Sequence, residues 1–233
     1  MYPIRKESLN QVGASPVTLK AWAIIRSELK GLVLDVGCGN GQVTYTHSHV
    51  IGIDMPAAES KIPTTVANMK IPLILGDMHC LPFRASAFKT MVFNHSLEHT
   101  SSPELTLAEA HRVLKDDGKI VINSPNVRYF LWPLFWARHG YAFGKDHKSF
   151  FTFASLRSLL ERNGFTVVKT FSVYLPITNE CSAPVRILLG APFVSRAIEK
   201  VAGWLSNLHP IFSIDVGVVA CKDPNRARKQ CQV

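Results

Sequence analysis

No run approaching about 18 uninterrupted apolar residues occurs in this 233-residue chain, which leaves no candidate for a membrane-spanning helix. The N-terminal MYPIRKESLN lacks the apolar core of a secretory signal, so the chain is expected in the cytoplasm, with any membrane contact peripheral. Cysteine is scarce and shows no pairing pattern: Cys38, Cys80, Cys181, Cys221 and Cys231 are odd in number, scattered, and form no CxxC. That argues against a disulfide framework or zinc ribbon and fits a reducing compartment. Internal repeats and low-complexity tracts are lacking, and no Ser-His-Asp or Cys-His nucleophile pattern is evident.

Charged residues make up only 18% of the chain, but 26 Lys and Arg against 17 Asp and Glu leave a net charge of +9. The basic residues are spread out, with one tight group, Arg226, Arg228 and Lys229, in the tail. Without a separate RNA-binding module or interleaved basic and aromatic motif, the charge reads as a solvated surface, and a nucleic-acid partner is not expected. An apolar content of 47% is globular. One domain over 1–233 is expected, with insertions at about 125–150 and 175–210 and a loose tail over 222–233.

Apolar runs at Leu32–Val36, Val50–Ile53, Pro72–Leu75, Thr90–Phe93 and Lys119–Asn123 read as strands, joined by Phe165–Tyr174 and Phe212–Ala220. Helices are expected after Ser15-Pro16, from Pro103 with Ser102 as cap, and after Thr152 up to Gly164. Strands alternating with helices predict an α/β fold: a doubly wound, mostly parallel seven-stranded sheet. Residues 125–150 are crowded with aromatics, and residues 175–210 hold an amphipathic pattern. Both are expected to form a small helical, aromatic-rich lid.

In such sheets ligands bind beyond the carboxyl ends of the strands, where strand order reverses. After the first strand the sequence reads Leu34-Asp35-Val36-Gly37-Cys38-Gly39-Asn40-Gly41, glycines where a backbone must turn tightly and a ligand approach closely. Position 42 is Gln42, so the dinucleotide spacing GxGxxG is not met. Asp54 ends the second strand, where a carboxylate can accept from ribose hydroxyls. Asp77 follows the third strand at the same edge.

With LDVGCGNG, GID, GDMHCLPF, the run from LEHTSSPEL to KIVINSPN, and DHKSFFTFASLRSLLERNGF, the chain resembles the class I S-adenosylmethionine-dependent methyltransferases. The group in question includes the ubiquinone and menaquinone biosynthesis methyltransferases and many glycan and lipid methyltransferases. The resemblance covers about residues 30–170. It implies that Gly37, Cys38, Gly39, Asn40 and Gly41, with Asp35 behind them, hold the methionine part of S-adenosyl-L-methionine. Asp54, with Met55 beside it, would hold the ribose, and Asp77 and Met78 would flank the adenine. Asn94 and His95 would lie by the sulfonium. Three departures from the family pattern stand out: a shortened first helix between Gly41 and Asp54, Lys89 in place of an acid, and Asp116-Asp117-Gly118 for the usual Pro-Gly-Gly turn.

Methyl transfer from a sulfonium needs alignment, desolvation and sometimes proton removal, but no protein nucleophile. His95, Glu98 and His99 in NHSLEHT, at i, i+3 and i+4, and His147 in KDHKSFF are the candidate bases or orienters. All four are expected to converge at the acceptor end of the pocket. The small-RNA 2′-O-methyltransferases carry a similar ExxEH and a later histidine that jointly bind a divalent metal. Here the first Glu is His95, and the softer set suits zinc better than magnesium; the acid/base role is the one expected. Tyr129, Phe130, Trp132, Phe135, Trp136, Tyr141 and Phe143 imply an apolar acceptor. The expected function is methyl transfer to a small-molecule, lipid or glycan acceptor, with an RNA methyltransferase or a non-catalytic cofactor-binding protein as alternatives.

Overall fold

The computed structural model describes residues 16–55, 70–128, 146–173, 201 and 213–223. Seven strands form one sheet: β1 (Val33–Val36), β2 (Val50–Asp54), β3 (Leu73–Leu75), β4 (Phe88–Asn94), β5 (Leu114–Pro125), β6 (Phe165–Val173) and β7 (Asp215–Lys222). Their order is β3-β2-β1-β4-β5-β7-β6. Pairings from β3 through β5 are parallel, and β7 runs antiparallel to both β5 and β6. Strand order reverses between β1 and β4, the position where α/β sheets bind ligands.

The central strands are apolar at consecutive positions because both faces of the sheet are covered. Met91 and Phe93 of β4, Ile120 and Ile122 of β5, and Val218 and Ala220 of β7 point to one face. There they pack on helices α2 (Pro103–Val113) and α3 (Phe153–Arg162) through Leu107, Ala110, Leu156 and Leu160. Their neighbours Val92, Val121 and Val219 point the other way, onto Trp22, Ile25 and Leu29 on the side of α1 (Pro16–Glu28). The two-residue alternation of a strand thus sorts a continuous apolar run into two cores.

Helix ends follow partly from the expected signals. Thr152 and Ser155 form a capping box at the start of α3, and Gly164 ends it at φ +82°. Ser102 occupies the N-cap position of α2, but its side chain caps nothing; its amide donates instead to Thr100 Oγ1 at 3.0 Å. Between Gly41 and β2 the chain makes only turns, with Tyr45 N donating to Gly41 O at 3.1 Å. That span leaves room for no longer helix. Two of the departures from the family pattern meet, since Lys89 pairs with Asp117 of the Asp-Asp-Gly turn.

Strand β5 starts earlier than expected because Leu114 pairs with Phe88 before that turn. Strand β7 starts later than Phe212, at Asp215, and includes Lys222, whose ammonium donates to Leu114 O at 3.0 Å. Lys222 therefore belongs to the sheet and not to a tail. The aromatics expected in a lid, at 129–143, and most of 175–210 lie outside the described residues. Among the described residues no helix is long and apolar enough to cross a membrane.

Candidate active site

Past β1 the chain turns through Gly37, Gly39 and Gly41 at φ +68°, +54° and +75°, backbone angles that residues with a Cβ rarely adopt. The amides of Gly37 and Cys38 donate to Ile53 O at 2.8 and 3.3 Å, binding the turn to the end of β2. Asp54 then fixes its tip. One carboxylate oxygen accepts from Gly39 N at 2.7 Å and the other from Met55 N at 2.8 Å. Each oxygen keeps a lone pair for a ligand hydroxyl. A Cβ built on Gly37 would lie 2.4 Å from Ser96 Cβ, whereas one on Gly39 would meet nothing within 4 Å. Gly37 is therefore required by packing, and Gly39 faces open space. Beside the turn, Val36, Gly37, Ile53, Asp54, Met55, Gly76 and Met78 line a shallow, open cleft.

Behind the turn Asp35 is only 2% exposed. Burial raises its carboxyl to about 6; the Thr44 hydroxyl, which donates to it at 2.7 Å, opposes the rise, and nearby Asp54 adds to it. Cys38 is buried and packs its sulfur against Gly52, so it offers the site only backbone. Its thiol is pushed well above the ordinary range, first by burial and then by Asp35 and Asp54, and is inert. Asn40 accepts from Lys70 N at 3.2 Å through its backbone oxygen.

Asp77, exposed past β3, accepts from both the amide and the ring of His79, at 2.9 and 2.6 Å. The backbone bond from His79 is the first cause holding its carboxyl below the ordinary range. The far nitrogen of His79 lies 2.5 Å from Thr100 Oγ1, which ties Asp77 to the segment after β4. Both bonds fall on one oxygen, leaving the other free of these partners.

His95 leaves β4 at φ +52°, with its amide donating to Asn123 O at 2.8 Å. Its ring lies between two carboxylates, Glu98 Oε1 at 3.4 Å from Nδ1 and Asp215 Oδ2 at 3.3 Å from Nε2. Burial opposes the charged ring, but the flanking carboxylates of Asp215 and Glu98 outweigh it and hold the imidazolium well above the ordinary histidine range. Solvent reaching its 43% exposed side chain screens part of that field without changing the direction. Asn123 Nδ2 donates to Asn94 Oδ1 at 3.2 Å, which orients the last residue of β4.

His95, Glu98 and His99 lie near one another, but not on the face of an α-helix. After β4 a 3₁₀ turn, Leu97–His99, replaces a full helical turn. Glu98, 2% exposed, accepts from Ser124 Oγ at 2.9 Å. His147 arrives from the long connection, pinned by the amides of Lys148 and Ser149 donating to Glu98 O at 2.8 and 3.0 Å. Its ring stands edge-on to His99, with centroids 5.1 Å apart. Burial is the first cause lowering its pKa from 6.5, so it is neutral at neutral pH.

Sequence reasoning missed Asp215, His79 and Ser124. Asp215 had a signal, an acid opening an otherwise apolar buried strand, where an unpaired carboxylate is costly. His79 stands two residues from a singled-out acid, and Ser124 carried no signal.

The chain matches a family model described as a methyltransferase domain over residues 13–170. It is 32% identical over 112 residues to an uncharacterized protein of Methanocaldococcus jannaschii, covering 47% of this chain and 43% of that one. It therefore spans less than half the length of that relative. Over 163 residues it is 29% identical to a demethylmenaquinone methyltransferase of Lactobacillus johnsonii, covering 57% of this chain and 66% of that one. Its fold is similar to that of an S-adenosylmethionine-dependent methyltransferase of Thermotoga maritima, with TM-score 0.62, 16% identity and 88% of each chain covered. With the family model spanning well over half of its length, the chain belongs to the methyltransferase-domain family, on the fold of an S-adenosylmethionine-dependent methyltransferase.

Proposed function

We propose that this chain binds S-adenosylmethionine across the ends of β1, β2 and β3 and transfers its methyl group to a small-molecule, lipid or glycan acceptor beside the ends of β4 and β5. The observation that carries this reading is the Asp54 carboxylate locked onto Gly39, with Asp35 and Asp77 at the ends of the flanking strands. The open space at Gly39 fits a ligand that passes against bare backbone. Bound there, the cofactor supplies an electrophilic methyl on a sulfonium.

The residues have distinct tasks. The loop Gly37 to Gly41 shapes the methionine end, and Asp35 behind it supplies negative charge against a cationic ligand. The free lone pairs of Asp54 accept from ribose hydroxyls, and the free oxygen of Asp77 accepts from the adenine edge, between Met55 and Met78. Asn94 and His95 close the pocket at the end of β4. Because His95 is held protonated, it positions its neighbours and takes no proton. His147, neutral and half-buried, is the group suited to accept one from the acceptor. Relatives named for demethylmenaquinone support a small organic acceptor.

Calorimetry with S-adenosylmethionine and S-adenosylhomocysteine tests the reading; one-to-one binding of both is expected, and the absence of binding by the parent chain removes it. Two glycine substitutions sharpen the test. Gly39→Ala is expected to cost about 1 to 2 kcal/mol of stability for its left-handed backbone while lowering affinity at least tenfold, since the new methyl occupies the ligand's space. Gly37→Ala drives a Cβ into Ser96 and is expected to destabilise the fold further, by roughly 1 to 3 kcal/mol of overpacking. Equal unfolding midpoints for the two variants would contradict this division.

A further inference from the structure

The three side chains that the long connection and the 3₁₀ turn bring together present an unusual electrostatic situation. Glu98 is 2% exposed, and its Oε1 has no hydrogen-bond donor. Its other oxygen is taken by Ser124. A buried carboxylate with one oxygen unsatisfied calls for a cation. His95 approaches that oxygen at 3.4 Å, but its ring is shared with Asp215 on the opposite side. Glu98, His99 and His147, in contrast, each offer a ligand atom, all within 4.8 Å of one another.

We propose that Glu98, His99 and His147 form a site for one divalent transition-metal ion of the zinc type, with His95 outside the ligand set. This goes beyond the methyl-transfer reading and does not depend on it. Two imidazoles and one carboxylate favour zinc, cobalt, iron or manganese over the all-oxygen sets of magnesium and calcium. Three protein ligands leave at least one coordination position open, as in metal sites that take a substrate oxygen.

The surroundings orient the ligands as metal sites require. Asp146 O lies 3.1 Å from His99 Nδ1, so it accepts the ring proton there and leaves Nε2 with a free lone pair, the carbonyl-to-histidine arrangement that fixes a ligand tautomer. Two amides from the His147 segment, those of Lys148 and Ser149, donate to the backbone oxygen of Glu98 itself, which holds the imidazole near the carboxylate across the long connection. Binding would draw the ligand atoms from within 4.8 Å of one another to the roughly 3.3 Å separation implied by bonds of about 2.0 to 2.1 Å. His99 is exposed and His147 half-buried, so both rings have room. With an ion bound, both imidazoles act as ligands, so the proton-accepting role of His147 belongs to the metal-free protein.

The test uses the full chain, stripped with a chelator and titrated with Co²⁺ by visible absorption and with Zn²⁺ in competition with a chromophoric chelator. One equivalent is expected, and Glu98→Gln, His99→Ala and His147→Ala should each weaken binding at least tenfold. Zn²⁺ should also raise the unfolding midpoint of the parent and not of the variants. Mg²⁺ at the same concentration should not displace Co²⁺. No stoichiometric binding, or undiminished binding by His99→Ala, whose exposed ring can be removed without disturbing the core, overturns the proposal. Calorimetry of S-adenosylhomocysteine on the same stripped samples should be unaffected by metal removal. Loss of the metal site and loss of the methyltransferase reading therefore give different results.

Discussion

Asp35→Asn is expected to make the chain more stable at pH 8 by about 1 to 3 kcal/mol and, at the same time, a poor binder of S-adenosylmethionine. Burial raises the Asp35 carboxyl from 3.8 to about 6. In the unfolded chain it ionises near its ordinary value, so between pH 3.8 and 6 the native state holds the extra proton. Stability is then favoured at low pH and falls as pH rises through that window. A displacement of roughly two pH units corresponds to about 3 kcal/mol of cost once the buried group is charged.

The asparagine retains an acceptor for the Thr44 hydroxyl but carries no charge, so it escapes that cost. Urea unfolding at pH 4 and pH 8 checks the point: the variant should match the parent at pH 4 and exceed it at pH 8. A variant no more stable at pH 8 would contradict the assignment of a strained, functional charge. The same charge is what a cationic ligand relieves. Affinity of the parent should therefore fall as pH drops below about 6, and the variant should bind weakly at every pH.

Substituting Asp54 should lower affinity for S-adenosylhomocysteine by roughly ten- to a hundredfold, the loss of about 1 to 3 kcal/mol that charge-assisted hydrogen bonds supply. The structure adds a feature that separates two variants. Both oxygens of Asp54 already accept from amides, Gly39 N and Met55 N. Asp54→Asn must turn an NH₂ toward one of those two donors, so it should be no milder than Asp54→Ala. If asparagine preserved affinity, one of the two amide bonds would be dispensable, and the carboxylate would hold the ligand without holding the loop. Calorimetry on both variants, beside an unfolding curve for each, decides between these outcomes.

Much of the proposed cofactor end was legible in the sequence because its parts are local to strand ends. Asp35, Gly37 to Gly41, Asp54 and Asp77 lie within a few residues of the carboxyl ends of β1, β2 and β3, and the hydrophobic runs located those ends. The acceptor end was less legible. His95, Glu98 and His99 were expected to share a helix face, but the backbone at His95 is left-handed and a 3₁₀ turn follows it. His95 lies between Asp215 and Glu98, and Glu98 is in turn grouped with His99 and His147. A spacing of i, i+3 and i+4 places side chains together only if the backbone is α-helical.

The sequence by itself determined the alternation of strands and helices, the glycine turn, and which carboxylates end the parallel strands. Period, turn residues and apolar runs act over short chain distances and need no knowledge of neighbours. Only the tertiary structure decided what each ionisable group meets. Strand β7 enters between β5 and β6, which brings Asp215 to His95. Backbone bonds to Glu98 O draw the His147 segment back from its excursion. The charge states of Asp35, His95 and His147 follow from those encounters, because burial and facing charge, and not residue type, set where each group holds its proton.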